Sequence, residues 1–530
     1  MPDANRFVVP EITINWGAGT DADTSAYNDV SRKFLLPAGV RISWGRDQAR
    51  STSPAKIETL DMTLDNTDGI FSNVAGPLAG FITRGPTVVA YLRLDYEILC
   101  NSSDVFADDD YYADGSLVQL VFDGKIDNAA QIMDSQKSVT IRALGRLSVF
   151  NKSKITIPLQ ENVTVDQILD LICDEVDFPV EDRDFDTGDT TILYWWAHDR
   201  SPLELMYELA PATEGSNSAI YMAPGVLHFE GRQYRQNATR STTPQYYLYD
   251  SLQASAPVGQ PIYYNPPTTL NQNVEEVYNV VKGQANYRTL GTLQQVWSYG
   301  ASITLGANET KVIYASMSDP VKDAQVPNST DDYTTTNPLA SVTISATSGS
   351  RIAITLVAGA SGAIITGPTG QTADGIYLRA KPLQVSSEVD IVSTIDTQAS
   401  IDRYDRNEYD LNNWPEINPN NVQDIVNGIA RRYQEPRDQI TVRIFNVDAY
   451  HTTMIMDCKI SDRIHISSVH QGIDNDFFIE SKTIELLGNG NMIAIFDCER
   501  AIDQDAFRFG VNTFGPYDEI TNPLALPFGE

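Results

Sequence analysis

The stretch RISWGRDQARSTSPAKIETLDMTLDNTDGIF, residues 41–71, decides the fold class. Val40, Ile42 and Trp44 alternate onto one face of a strand, because successive strand side chains point to opposite sides. Gly45-Arg46-Asp47 is expected to break that strand, and a polar link containing Pro54 follows. A second alternation sets Leu60, Met62 and Leu64 on one side, with Thr59, Asp61 and Thr63 on the other. Asp65-Asn66-Thr67-Asp68-Gly69 closes it as a turn: short Asn and Asp side chains bond their own backbone, and Gly tolerates positive φ. Nothing in the stretch is a reactive group. It reads as framework.

The same period surrounds it. Ile12, Ile14 and Trp16 alternate near the start, residues 88–94 and 117–122 read as strands, and 138–143 resumes the pattern. A polar, acidic loop spans 101–114. Strands separated by turn residues predict an all-β barrel or sandwich over residues 1–155. The period then lengthens. Thr164 and Gln167 form a capping box ahead of Val165, Ile168, Leu169, Ile172 and Val176 at helical spacing, and Pro179 ends the run. A second box, Ser201-Pro202-Leu203-Glu204, starts a helix whose Leu203, Met206 and Leu209 face a core. A hairpin over 220–229 completes an α+β region, and Tyr- and Pro-rich sequence from 241 to 271 reads as its connector; the region spans 156–270. Residues 271–400 are rich in β-strands and carry short ones from 302 to 383 in the manner of an inserted β-sandwich. Residues 401–502 combine a helix capped by Asn421, with Val422, Ile425, Ile429 and Tyr433 as its stripe, and four strands ending in a hairpin through Gly488-Asn489-Gly490-Asn491. An extended tail, 503–530, follows. The fold class expected is mainly β with α+β parts.

At 530 residues the chain should hold about two to four domains. Hydrophobic residues make up 42%, enough for packed cores. Seventy acidic against 38 basic residues leave a net charge of -32. That opposes tight binding to nucleic acid, whose phosphates need Lys and Arg, and suits a surface past which DNA moves without sticking. The four cysteines, Cys100, Cys173, Cys458 and Cys498, lie in no metal-like spacing and are expected to be free. The first residues lack the basic start and apolar core of a signal peptide, and the least polar run, 352–367, is too short and Gly-rich to span a bilayer. A soluble protein made in a cytoplasm is expected.

Catalytic signatures are missing. No HExxH, P-loop or GxSxG sequence occurs, and Ser53-Pro54-Ala55-Lys56 stands without the motifs that accompany S-x-x-K in hydrolases. Among the histidines, His465 alternates with Ile464 and Ile466 as a strand residue, while His451 and His470 are expected in loops. Asp182, Asp184 and Asp186 have the first-third-fifth spacing of a calcium loop, but Gly is missing from the sixth position and Leu193 stands where a bidentate Glu belongs. These three are weak metal candidates; a solvated acidic loop is the simpler reading, and no cofactor is expected. Tyr246-Tyr247 and Tyr263-Tyr264 suit either β packing or an interface.

Residues 41–47 and 60–71, Phe122-Asp123-Gly124-Lys125-Ile126-Asp127, 138–147, 182–191, RRYQEPR at 431–437, Asp462-Arg463-Ile464 and Phe478-Ile479-Glu480 recur in an order that spans most of the chain. In these blocks the chain resembles the minor tail proteins of long-tailed bacteriophages, particularly those infecting actinobacteria, and their baseplate-hub relatives. The resemblance implies two tube-like β-barrel domains decorated by α+β parts. It implies a homotrimer whose six barrels match one hexameric ring of tail tube, with an acidic lumen for passing DNA. The partners it implies are tail-tube and distal tail proteins, other tail-tip or fibre proteins, and the host cell surface. The location it implies is the virion tail tip, after synthesis in the host cytoplasm. Some relatives carry a wall-degrading domain; no matching motif is found here, and an enzyme is not expected. Two other readings stay open: a receptor-binding adhesin using the inserted sandwich and Tyr-rich segment on host carbohydrate, and a cell-wall-degrading tail enzyme.

Overall fold

The structure, a computed structural model, describes residues 8–501 apart from 18–22, 35–38, 47–54, 73–75, 79, 82–84, 95–116, 133–136, 152, 214, 216–217, 251–261, 273, 370–374, 412–418, 470 and 489. The expected acidic loop at 101–114 and the tail at 503–530 lie outside the described residues. So do His470 and Cys100.

Strands β1 (Val8–Asn15), β2 (Val40–Arg46), β3 (Ala55–Asp65), β4 (Thr87–Leu94), β5 (Leu117–Ile132) and β6 (Ser138–Gly145) pair in the order β1-β4-β5-β6-β3-β2. Alternation works as read: Leu60, Met62 and Leu64 of β3 are buried between the inward residues of β2 and β6. Ile12, Ile14 and Trp16 join the same core. One local reading is corrected. Gly45 does not end β2, which runs on through Arg46. Gly45 has φ 109°, and a Cβ there would lie 2.6 Å from the Glu480 carbonyl oxygen and 2.7 Å from the Ser481 Cα. The glycine serves a close crossing of two backbones, with a register shift between Ser43 and Gly45.

Next come β7 (Ile155–Val163), α1 (Val165–Glu175), β8 (Arg183–Phe185), β9 (Ile192–Arg200), α2 (Pro202–Thr213), β10 (Ala219–Ala223) and β11 (Val226–Glu230). The Thr164 N–H donates to Gln167 Oε1 at 3.1 Å, the return half of the capping box. Leu203, Met206 and Leu209 are buried as expected. Two single turns follow, α3 (Tyr234–Asn237) and α4 (Thr239–Thr242), then β12 (Tyr246–Asp250) and β13 (Ile262–Gln272). The expected connector is thus built differently: it supplies two strands to the main sheet, pairing in parallel with each other. Proline and tyrosine composition hid the short strand β12, whose Leu248 and Tyr249 are buried.

The long strands β14 (Val280–Leu290) and β22 (Tyr377–Val392) pair antiparallel, and the chain between them forms β15 (Gln294–Ser298), β16 (Ile303–Leu305), β17 (Thr310–Lys322), β18 (Thr334–Thr335), β19 (Leu339–Ile344), β20 (Gly349–Ala358) and β21 (Ala363–Thr366). This segment has its own core, with Ile303, Ile313, Ile354, Leu356, Ile365 and Leu378 at its centre. β22 joins the two cores: Leu378 and Ala380 lie in the smaller, Ile391 in the larger. Removing residues 291–382 and joining Leu290 to Leu383, which are paired neighbours, through an Asn-Gly turn should therefore leave a folded remainder. Circular dichroism is expected to show a cooperative melt of that remainder; an unfolded product would mean the smaller core supports the larger.

The last elements are α5 (Gln398–Tyr404), β23 (Glu408–Leu411), α6 (Pro419–Tyr433), β24 (Asp438–Phe445), α7 (Ala449–Asp457), β25 (Arg463–Ser468), β26 (Ile473–Gly488) and β27 (Asn491–Arg500). α6 begins at Pro419, so Asn421 is inside its first turn and is not its cap; proline fits that turn because its missing N–H had no partner there. His451, expected in a loop, is buried in α7, where Asp448 Oδ1 accepts the His451 N–H at 2.8 Å as an N-cap. The Thr pair and the weak apolar stripe concealed this helix.

Among the described residues twelve strands make one sheet, β1-β4-β5-β6-β3-β2-β26-β25-β12-β13-β24-β27, and β26 also pairs β27. The last six therefore close into a ring. β26 does double duty: its first half pairs β25, its second half pairs β2, and β27 runs along its other edge. The first six strands stay an open run, with the Val8 N–H reaching the Gly490 carbonyl at 3.4 Å.

Candidate functional site

The crossing of β2 over β26 brings charged groups from distant parts of the chain into the interior. Arg46 is 2% exposed and Glu480 0%. Arg46 Nε lies 3.2 Å from Glu480 Oε2, and its Nη2 donates to the Ser218 carbonyl at 3.2 Å. Arg235, at the start of the α3–α4 segment, grips the same carboxylate with both Nη atoms, at 2.6 and 2.9 Å. A bidentate guanidinium–carboxylate pair is the strongest geometry available to such groups. Arg235 also donates to Ser461 Oγ at 3.0 Å, Ser461 Oγ donates to Glu230, and the Tyr221 hydroxyl donates to Glu230 Oε1 at 2.7 Å. Five separate segments meet here. A second pair of guanidiniums, Arg432 and Arg437, flanks Glu499, which is 0% exposed; Arg432 Nη2 donates to it at 2.9 Å.

Burial and charge set the ionisation of these groups. Burial pushes the Glu480 carboxyl up, but the Arg235 and Arg46 charges overcome this and leave it below its ordinary value. Glu230 is raised to about 7, chiefly by burial. Lys482 is buried, its ammonium donates to the Cys458 carbonyl at 2.8 Å, and burial lowers its pKa to about 8. Glu58, packed against Gly145, is raised from 4.5 to about 8, first by burial.

The last shift has a sign that can be measured. Unfolded, Glu58 ionises near 4.5, while folded it keeps its proton to about 8. Its favourable contribution is full below the lower value and is lost as pH rises through the upper one. Glu230 acts in the same direction up to about 7. The melting temperature of Glu58→Gln should therefore gain on that of the natural chain as pH rises from 5 to 8. A gap that stays constant or narrows would contradict the assignment.

The weak metal candidates are brought to three different partners. Asp182 Oδ2 pairs with Arg146 at 2.7 Å, Asp184 Oδ2 with His228 Nδ1 at 3.0 Å, and Asp186 Oδ2 accepts the Gly231 N–H at 3.2 Å. Among the described residues no three His, Cys, Asp or Glu side chains converge as a metal-binding set. The described cysteines, Cys173, Cys458 and Cys498, are free and buried. Burial raises the Cys173 thiol to about 12 and the other two well above their ordinary value, which suppresses the reactive thiolate. His465 lies in β25, its ring held by Asp476 at 2.8 Å and Asp474 at 3.1 Å.

Arg46, Arg235, Arg432, Glu480 and Glu499 were missed as a site. A signal was available: Arg46, Arg432, Arg437 and Glu480 all fall inside the recurring blocks quoted above, as charges within apolar alternation or beside a helix end. Which cation meets which anion depends on contacts between distant parts of the chain, Arg235 with Glu480 and Arg46 with Glu480.

No protein-family model matches the sequence, and no curated protein matches it. Solved structures do resemble it in chain path. The tail protein from Neisseria meningitidis MC58 superposes with a TM-score of 0.47 at 8% identity, over 92% of this chain and 96% of that one. The 43 kDa tail protein of prophage MuSo2 from Shewanella oneidensis gives 0.45 at 11% identity, over 93% and 98%. Prophage tail protein gp18 from Listeria monocytogenes EGD-e gives 0.38 at 8%, over 92% and 94%.

Proposed function

We propose that the chain is a structural protein of a bacteriophage tail, acting at the tail tip as a hub that closes or extends the tube, adapts its symmetry and anchors neighbouring tip proteins. The observation that carries this reading is the continuous twelve-strand sheet, pinned by buried charge where β2 crosses β26. It is a scaffold joint, with groups held rigid by mutual pairing instead of directed at a substrate. The net charge of -32 suits a channel wall that DNA passes without tight binding. The hub works as a homotrimer, with tail-tube and distal tail proteins on one side and other tip or fibre proteins on the other. A symmetry-resolved reconstruction of the tail tests this: three copies are expected on the tail axis, and finding the chain only on peripheral fibres overturns it.

The segment between β14 and β22 favours a second, compatible reading as a host-surface adhesin. It has its own core and exposes Tyr314 and Val312 on one face of β17, with the Arg351 guanidinium 4.3 Å from the Tyr314 ring centroid. An exposed aromatic face of this kind suits sugar stacking. Purified protein should then bind host cells or block infection, and failure of both removes this role.

A further inference from the structure

We propose that the cavity beside the C-terminal end of α6 is a carboxylate-binding site, taking an acidic side chain from a neighbouring protein subunit. The proposal rests on the reading that the chain works within an assembly, and extends it to a named docking point.

The cavity holds about 580 Å³ and is lined by Arg431, Arg432, Arg437, Arg463 and Arg500. Five guanidiniums at one cavity reverse the local balance in a chain with 70 acidic and 38 basic residues. The acidic groups of the lining already have partners. Asp438 accepts from Arg500 at 3.0 Å, Asp476 from Arg463 at 2.7 Å, Asp474 pairs with His465, and Glu435 accepts from the Tyr404 hydroxyl at 2.8 Å.

Behind the lining the count of buried charges does not close. Two buried guanidiniums, Arg432 and Arg437, share one buried carboxylate, Glu499. The shortfall sits at Arg437. Its Nη2 donates to the Arg500 carbonyl at 2.7 Å and its Nε pairs with Glu499 Oε1 at 3.4 Å, which leaves Nη1 without a hydrogen-bond partner. Arg437 is 9% exposed, so water does not compensate. Burial, then the neighbouring Arg432 charge, push its guanidinium down. A buried guanidinium with unused donors is costly. A carboxylate entering the cavity supplies negative charge beside Arg437 and Arg500, which line it.

Calorimetric titration of the full-length chain with glutarate, then with inorganic phosphate, tests the site. Glutarate is expected to bind, and Arg437→Gln to weaken it roughly tenfold or more, the size expected for a lost charge-assisted bond, with the circular dichroism spectrum retained. Arg500→Gln, at the rim, should also weaken binding and carries the test if the first variant misfolds. No heat with glutarate, or equal affinity in both variants and the natural chain, overturns the proposal; phosphate binding without glutarate binding overturns the assignment to carboxylate. The carboxylate's source is read separately by sedimentation. A second copy of this chain, with its 70 acidic residues, is the source expected, so glutarate and Arg437→Gln should each reduce self-association, and no change in either overturns that source. Because the titration uses the isolated chain, its failure is distinct from failure of the tail-tip reading.

Discussion

Replacing Glu480 with Gln is expected to lower folding stability by about 3–5 kcal/mol, the usual cost of removing one partner from a buried ion pair. The size follows from what remains. Arg46 and Arg235 both direct donors at this carboxylate, at 3.2 Å and at 2.6 and 2.9 Å, and both are nearly inaccessible to water. Without it, two cations share an interior with Glu230 as the nearest acid, held to Ser461 and Tyr221. The triple variant Arg46→Met, Arg235→Met, Glu480→Leu should recover much of the loss, since apolar groups of similar volume replace buried ion pairs at little cost. Chemical denaturation measures both. If Glu480→Gln melts like the natural chain, the network does not hold the crossing together.

The second large effect is expected at Leu60→Asp, which should abolish cooperative folding of the sheet. Leu60 is 0% exposed and lies between Ile42 of β2 and Ala143 of β6. Truncating such a leucine to Ala costs about 2–5 kcal/mol; an isolated carboxylate adds the cost of burying charge. Asp61→Ala, on the other face of the same strand, should change stability by no more than about 0.5 kcal/mol. Soluble Leu60→Asp protein with a normal melt would show that β3 is not a core strand.

These two residues mark how far the sequence could be read. Leu60 was legible, because alternation is a local property and a strand with one buried face must show it. The capping box at Thr164, the hairpin read over 220–229 and the short strands of the segment between β14 and β22 were legible because they too are local signals. Glu480 was not. It occupies an ordinary place in a strand, and its role depends on Arg46 and Arg235, whose positions follow from the sheet path and not from their neighbours in the chain. β12 and β13 escaped for a related cause: they pair in parallel within the ring, and parallel partners are fixed by crossover and not by an adjacent turn. Asp182, Asp184 and Asp186, read first as an acidic loop and only weakly as metal ligands, pair with Arg146, His228 and the Gly231 N–H.

The shared strand β26 has a consequence for how the chain is made. β2 pairs residues 481–486, so the first strands cannot complete their hydrogen bonding until more than 400 further residues, through 486, have left the ribosome. Until then β2 is an unpaired edge, open to the wrong strand or to another nascent chain. Closing a loop of that length also slows the search for the right register. Slower translation late in the message, or a chaperone that covers β2 in the interval, should raise the yield of folded protein more than either would for a chain whose domains close one at a time.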